Sequence, residues 1–294
     1  MTTSLEKAPT GPSPTGPTPS GDGRRIGPLI YIGGGIVALV AIVGVISFFW
    51  TPYDPGFTDT SLAKAGPGVG GHLLGTDRLG RDIASLLMAG ARTTLYVGIV
   101  AVGIAAVVGT PLGILAAMVP RRWSEILMRG TDIMLAFPAL LLALMFAAIW
   151  GGGITTSMLA IGIASIPSFI RVVRAGALVV LAQDYIPAAR VAGRRPFAIA
   201  WTHVLPNVLG LVIVQASVSY AIAILAEAGL SYLGFGAGLT TASWGLMLQE
   251  SQVTLGTDPL ITVWPAAAIA LAVVGFNLLG DGLRDRFDPR LAGR

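Results

Sequence analysis

Six mostly apolar stretches constrain this sequence more than any motif, since each approaches the roughly 20 residues a helix needs to cross a hydrocarbon layer. They run Leu29–Trp50, Leu95–Val119, Ile133–Trp150, about Ile154–Val172 (with Arg171 at its margin), Val208–Ala226 and Leu260–Leu279. In a bilayer each backbone polar group must be satisfied within the protein, so such stretches fold as helices. Pro111 and Pro167 do not veto this, because neighbouring helices can satisfy the carbonyls they free. Charged residues are only 12% of the 294, against roughly a quarter in soluble domains, while 54% are hydrophobic. The expected fold class is an all-α integral membrane protein with six transmembrane helices.

The basic residues orient these helices. With the N-terminus in the cytoplasm, fifteen of the nineteen Lys and Arg residues fall on cytoplasmic segments. Lys64, Arg78, Arg81 and Arg92 stay outside, and Glu227–Pro259 carries no basic residue. Both termini are therefore expected to be cytoplasmic. The first apolar stretch exceeds the roughly 7–15 residues of a signal-peptide core and lacks a small-residue cleavage site, so it reads as a retained span. Basic residues flanking apolar runs argue for membrane topology rather than nucleic-acid binding, despite a net charge of +4. The expected organisation is a disordered cytoplasmic tail over 1–28, a first span over 29–50 and an extracytoplasmic loop with a surface helix over 51–94. A five-helix core over 95–280 and a cytoplasmic tail over 281–294 follow.

Within the core, residues 184–207 interrupt the apolar pattern with ordered punctuation. Pro187 suits a first helical turn, Gly193 a position just past a helix end where φ > 0 is wanted, and Pro196 the start of a second helix. Pro206 lies just before the next apolar run. The pattern predicts two short helices joined by Gly193-Arg194-Arg195, a cytoplasmic hairpin able to dock a partner.

The chemistry that is absent narrows the function. No Cys is present, which excludes disulfides and thiolate sites, and no phosphate-cradling Gly-x-x-x-x-Gly-Lys-Ser/Thr loop occurs. No HExxH or GxSxG motif is found either, so a membrane hydrolase lacks its nucleophile and base. No carboxylate, histidine or lysine sits deep in a span except Glu227, which reads as an exposed or interhelical group. An ion-coupled carrier thus lacks its relay, and energy is expected from another subunit. On the fifth span Gln215, Ser219, Tyr220, Ala223 and Glu227 share one face, as either helix-packing polarity or the lining of a path. Asn277 on the sixth span, with Ser165 and Ser168 on the fourth, are less patterned candidates. In the outer loop, Asp82 is expected to cap a short surface helix starting Ile83, with Thr76 and Asp77 as turn formers and no metal role for His72.

Ala188-Ala189, Gly193 and Leu205-Pro206 have the spacing of the coupling loop of ATP-binding-cassette (ABC) importer permeases, which this stretch resembles. The acid that usually precedes Ala-Ala is replaced by Pro187. Further matches are His72-x-x-Gly75-Thr76-Asp77-x-x-Gly80-Arg81-Asp82, Asp132-Ile133 with Phe137-Pro138, Leu233-Gly234-Phe235-Gly236, Trp244-Gly245 and Asn277 through Arg290. From about residue 72 to 290 the chain is similar to the C-type permease of dipeptide, oligopeptide and nickel importers. The resemblance implies a type I ABC importer fold and a bacterial inner or plasma membrane location. It also implies a homologous second permease, one or two cytoplasmic ATPase subunits that bind ATP and Mg, and an extracytoplasmic solute-binding protein. It implies ATPase coupling through Asp184, Tyr185, Pro187, Ala188, Ala189, Arg190, Gly193, Arg194, Arg195 and Pro206. The implied substrates are short peptides, with nickel chelates, glutathione and haem as alternatives.

Overall fold

The computed structural model describes residues 27–236, 238 and 241–287. The expected tail over 1–28 lies outside these except for its last two residues, as do Asp288, Pro289, Arg290 and Arg294. The helices are α1 (Pro28–Ile46), α2 (Ile83–Met118), α3 (Arg121–Ala136), α4 (Ala139–Trp150), α5 (Ile154–Leu181), α6 (Tyr185–Val191), α7 (Pro196–Ile199), α8 (Leu205–Tyr232), α9 (Trp244–Ser251) and α10 (Leu260–Phe287). No strand occurs among the described residues, only an isolated bridge between Thr76 and Asp82. Five helical segments are long and apolar enough to cross a membrane, and the bent α3–α4 pair makes a sixth.

The close approaches of the bundle are made where side chains are missing, between antiparallel helices (α1 and α10) and parallel ones (α2 and α5) alike. A Cβ on Gly33 would run into the Leu279 amide and one on Gly282 would lie 2.8 Å from that of Ile30, so the start of α1 rests on the end of α10. Gly109 and Gly113 of α2 meet Phe169 and Val173 of α5 in the same way. The main core is built from α2, α5, α8, α9 and α10 around Phe169, Ile224, Leu230 and Trp244. A second core gathers Ile114, Val173, Ala177, Val180, Ile186, Ile199, Val204 and Val208 at the end that carries α6 and α7. The 51–82 loop and α9 lie at the opposite end.

Four expectations are corrected. The surface helix before the second span is not separate, because α2 runs unbroken from Ile83 to Met118. At about 1.5 Å per residue its 36 residues span about 54 Å, more than the bilayer core. The third span is not one helix from Ile133 to Trp150. Phe137 precedes Pro138, which disfavours helical backbone; Phe137 is extended (φ −90°, ψ 129°), and α3 and α4 meet at 83°. The second limb of the hairpin is not a separate short helix. It passes through a π turn, Ala200–Val204, into α8, with the Leu205 N–H reaching back to Ala200. Pro206 has no N–H for Thr202 and would crowd its carbonyl in a regular helix, and the wider turn relieves both. Finally, α10 continues to Phe287, through the start of the expected C-terminal tail.

Candidate coupling hairpin and translocation face

The hairpin is anchored by four apolar residues and otherwise open. Ile186 on the first limb and Ile199, Val204 and Val208 on the second are buried in the inner core. Asp184, Tyr185, Pro187, Ala188, Arg190, Gly193, Arg194, Arg195 and Pro206 are exposed, and Ala189 is half-buried. Pro187 is the third residue of α6, where its missing N–H leaves no intrahelical bond unmade. Asp184 precedes α6 without a capping side-chain bond.

The turn closes through two backbone bonds. The Gly193 N–H donates to Arg190 O at 2.9 Å and the Arg194 N–H to Ala189 O at 3.1 Å. This is the Schellman pattern, and it requires a left-handed residue at its centre. Gly193 supplies it with φ 77°. The limbs also meet through the tilted rings of Tyr185 and His203, 5.9 Å apart. The result is a short knuckle that presents Pro187, Ala188, Val191 and three arginines outward.

The polar face of α8 divides. Gln215 Nε2 donates to Ser219 Oγ at 3.0 Å, and Gln215 is half-buried. Tyr220 is enclosed: its hydroxyl donates to Leu95 O of α2 at 2.7 Å and its ring stacks on Phe276 of α10 at 4.0 Å. Glu227 is buried, accepting from Ser231 Oγ of the same helix at 2.8 Å. Asn277 on α10 is exposed, and Ser165 turns its hydroxyl back to Ile161 O.

Residues 109–293 match the family model described as binding-protein-dependent transport system inner membrane component. The chain belongs to this family. It is 41% identical over 265 residues to the di/tripeptide transport system permease protein DppC of Pseudomonas aeruginosa, covering 88% of each chain. It is 40% identical to the glutathione transport system permease protein GsiD of Escherichia coli, covering 87% of this chain and 85% of that one. The inward-facing MetNI methionine ABC transporter shares the fold, with a TM-score of 0.59 at 18% identity over 69% of this chain and 96% of that chain. This protein is a permease subunit of an ABC importer, built on the type I permease fold.

On the side of the permease away from the hairpin lies a docked assembly that the sequence reading caught only in part. Asp82 caps α2 as expected, accepting from the Ser85 amide at 2.7 Å and the Ser85 hydroxyl at 2.6 Å. Its other oxygen meets His72 Nδ1 at 3.0 Å, and the His72 ring lies against Tyr53. Asp77 accepts from the Leu79 and Arg81 amides and from Arg81 Nε. Arg81 also pairs with Glu250, 169 residues away on α9. Burial opposes the Arg81 charge, yet the two carboxylates hold its pKa above the ordinary guanidinium value.

Helix α9 itself was missed. It is clamped from α2 by Trp244 Nε1 on Leu87 O at 2.9 Å and Thr93 Oγ1 on Ala242 O at 2.8 Å. Against α8, Gly245 sits so close that a Cβ would run into the Ala228 carbonyl. The available signal was Ser243, which accepts from the Leu246 amide as an N-cap.

Proposed function

We propose that this permease pairs with a homologous second permease and carries dipeptides or short oligopeptides into the cytoplasm. Both termini and the 184–207 hairpin lie in the cytoplasm in this reading. Separate ATPase subunits bind ATP and Mg there, on two chains or one fused chain, and dock on the hairpin. An extracytoplasmic solute-binding protein delivers the peptide. The observation that carries the substrate class is the 41% identity to a di/tripeptide permease along nearly the whole chain.

The coupling step follows from continuity. Pro196–Tyr232 is one 37-residue helical segment from the hairpin to the outer end of the bundle. Closure of the ATPases around ATP pulls the hairpins together, and the α7–α8 lever carries that motion past Gln215, Ser219 and Tyr220 to the buried Glu227 near the outer end of α8. ATP acts only through its preference for the closed ATPase pair, the differential affinity any such switch requires. Gln215 and Asn277 are proposed to face the path, with Ser219 orienting Gln215 and Tyr220 holding α8 against α2.

The test is reconstitution of the importer from co-purified subunits with its binding protein, measuring ATP hydrolysis as peptides are added. Stimulation by dipeptides is expected. Stimulation by glutathione alone would favour a second reading, motivated by the 40% identity to a glutathione permease. Uptake that persists without ATPase subunits would overturn both in favour of a secondary carrier.

A further inference from the structure

Beside the break between α3 and α4, two charges meet that the sequence reading kept at the margins of separate spans. The third span was expected to begin at Ile133, leaving Asp132 outside it; instead Asp132 lies near the end of α3, facing α5. Arg171 Nη2 donates to Asp132 Oδ1 at 2.7 Å, and one turn further along α5 Arg174 Nε donates to Ser124 Oγ at 3.1 Å. The side chains of Arg171 and Asp132 are 49% and 59% exposed.

The level of this pair in the bundle can be read from its neighbours. Gly113 of α2 packs on Ile170 and Val173, so Arg171 is level with that turn of α2. Nearer the hairpin than this level, the bundle surface is still apolar: Leu115 on α2 is exposed, and so are Leu209 and Leu211 on α8 beside Gly176. Exposed apolar side chains therefore continue past the pair toward the hairpin. Ionisable side chains at such depth face a water-filled cavity or a partner rather than lipid, because exposing them to hydrocarbon is costly. Toward the hairpin from the pair, a recess of about 430 Å³ opens, lined by Arg121, Ser124, Glu125, Arg174 and Leu178.

We infer that Asp132 and Arg171 receive the charged termini of the peptide on its way to the cytoplasm, an inference that rests on the peptide reading above. A free peptide carries one ammonium and one carboxylate. Asp132 is the acceptor for the ammonium and Arg171 the planar fork for the carboxylate. In the empty permease the two groups satisfy each other. A half-exposed pair adds little stability of its own, so the peptide's two ends can replace it without leaving either charge bare. The same exchange disfavours compounds with one charged end, which would leave one partner uncompensated.

The reconstituted importer with its binding protein is tested with dialanine, N-acetyl-dialanine and dialanine amide, comparing each variant with wild type at the same binding-protein concentration. Arg171→Gln is expected to lower the wild-type preference for the free carboxylate over the amide by about tenfold. Asp132→Asn is expected to do so for the free amine over the acetylated peptide, each through KM. Unchanged preferences in both variants would overturn the inference while leaving peptide transport intact. Recovery of wild-type preferences by the exchange D132R/R171D would overturn it too, since a helix staple needs only opposite charges. Loss of the second permease on purification of either variant would reassign the pair to the subunit interface. A wild-type importer that takes up no peptide would remove the peptide reading itself.

Discussion

The Arg194 amide donates to the Ala189 carbonyl at 3.1 Å, and this bond turns two helical segments into one knuckle. It exists only because Gly193 between them is left-handed, with φ 77°. A Cβ there would meet nothing within 4 Å, so space is no obstacle to a side chain.

Gly193→Val therefore carries a purely conformational cost, about 1–2 kcal/mol for a left-handed residue with a Cβ. Uptake is expected to fall severalfold while membrane insertion is unchanged, with weaker co-purification of the ATPase subunits. Gly193→Asn is expected to retain most function, because Asn tolerates this conformation. Equal behaviour of Val and wild type in uptake would remove the coupling role.

Arg81 joins the outer loop to α9 through Glu250 while its side chain is only 11% exposed. Glu250→Ala is expected to lower stability by about 2 kcal/mol, the scale of a hydrogen bond to a charged group. Arg81→Ala is expected to cost more, since it also removes the Asp77 contact. A double-mutant cycle read by thermal unfolding in detergent checks the coupling, and strict additivity would mean the residues do not act on each other.

Asp82 has two separate tasks at the start of α2, capping Ser85 and holding His72. Asp82→Ala is expected to destabilise by about 1–2 kcal/mol through loss of the cap. Asp82→Ser, which keeps an N-cap oxygen but no charge, is expected to recover part of this. Protease protection of the outer loop provides the measurement.

On α8, Gln215→Leu is expected to change uptake kinetics more than Val214→Leu. Tyr220→Phe is expected to lower stability by about 1 kcal/mol, through its lost bond to Leu95 O, with substrate preference unaltered. A shift in peptide preference in Tyr220→Phe would place that hydroxyl in the path.

The parts of this fold legible in the sequence are those set by local composition. Long apolar stretches become helices because a lone segment in a bilayer has no other way to satisfy its backbone. Asp82 as a cap and Gly193 as a left-handed turn follow from the conformational preferences of single residues. Pro138 carried a local signal as well, yet the apolar run masked it: a hydropathy pattern reports the length of a span and not its bend.

What only the tertiary structure decided depends on distance along the chain. Arg81 finds Glu250 across 169 residues, and Arg171 finds Asp132 across 39. No periodicity encodes such pairs, since they arise from which helix faces pack. The six apolar stretches by themselves determined a membrane-spanning helical protein with a punctuated hairpin. The packing of glycine against helix, and the 83° break after α3, decided which helix faces, and so which charges, meet.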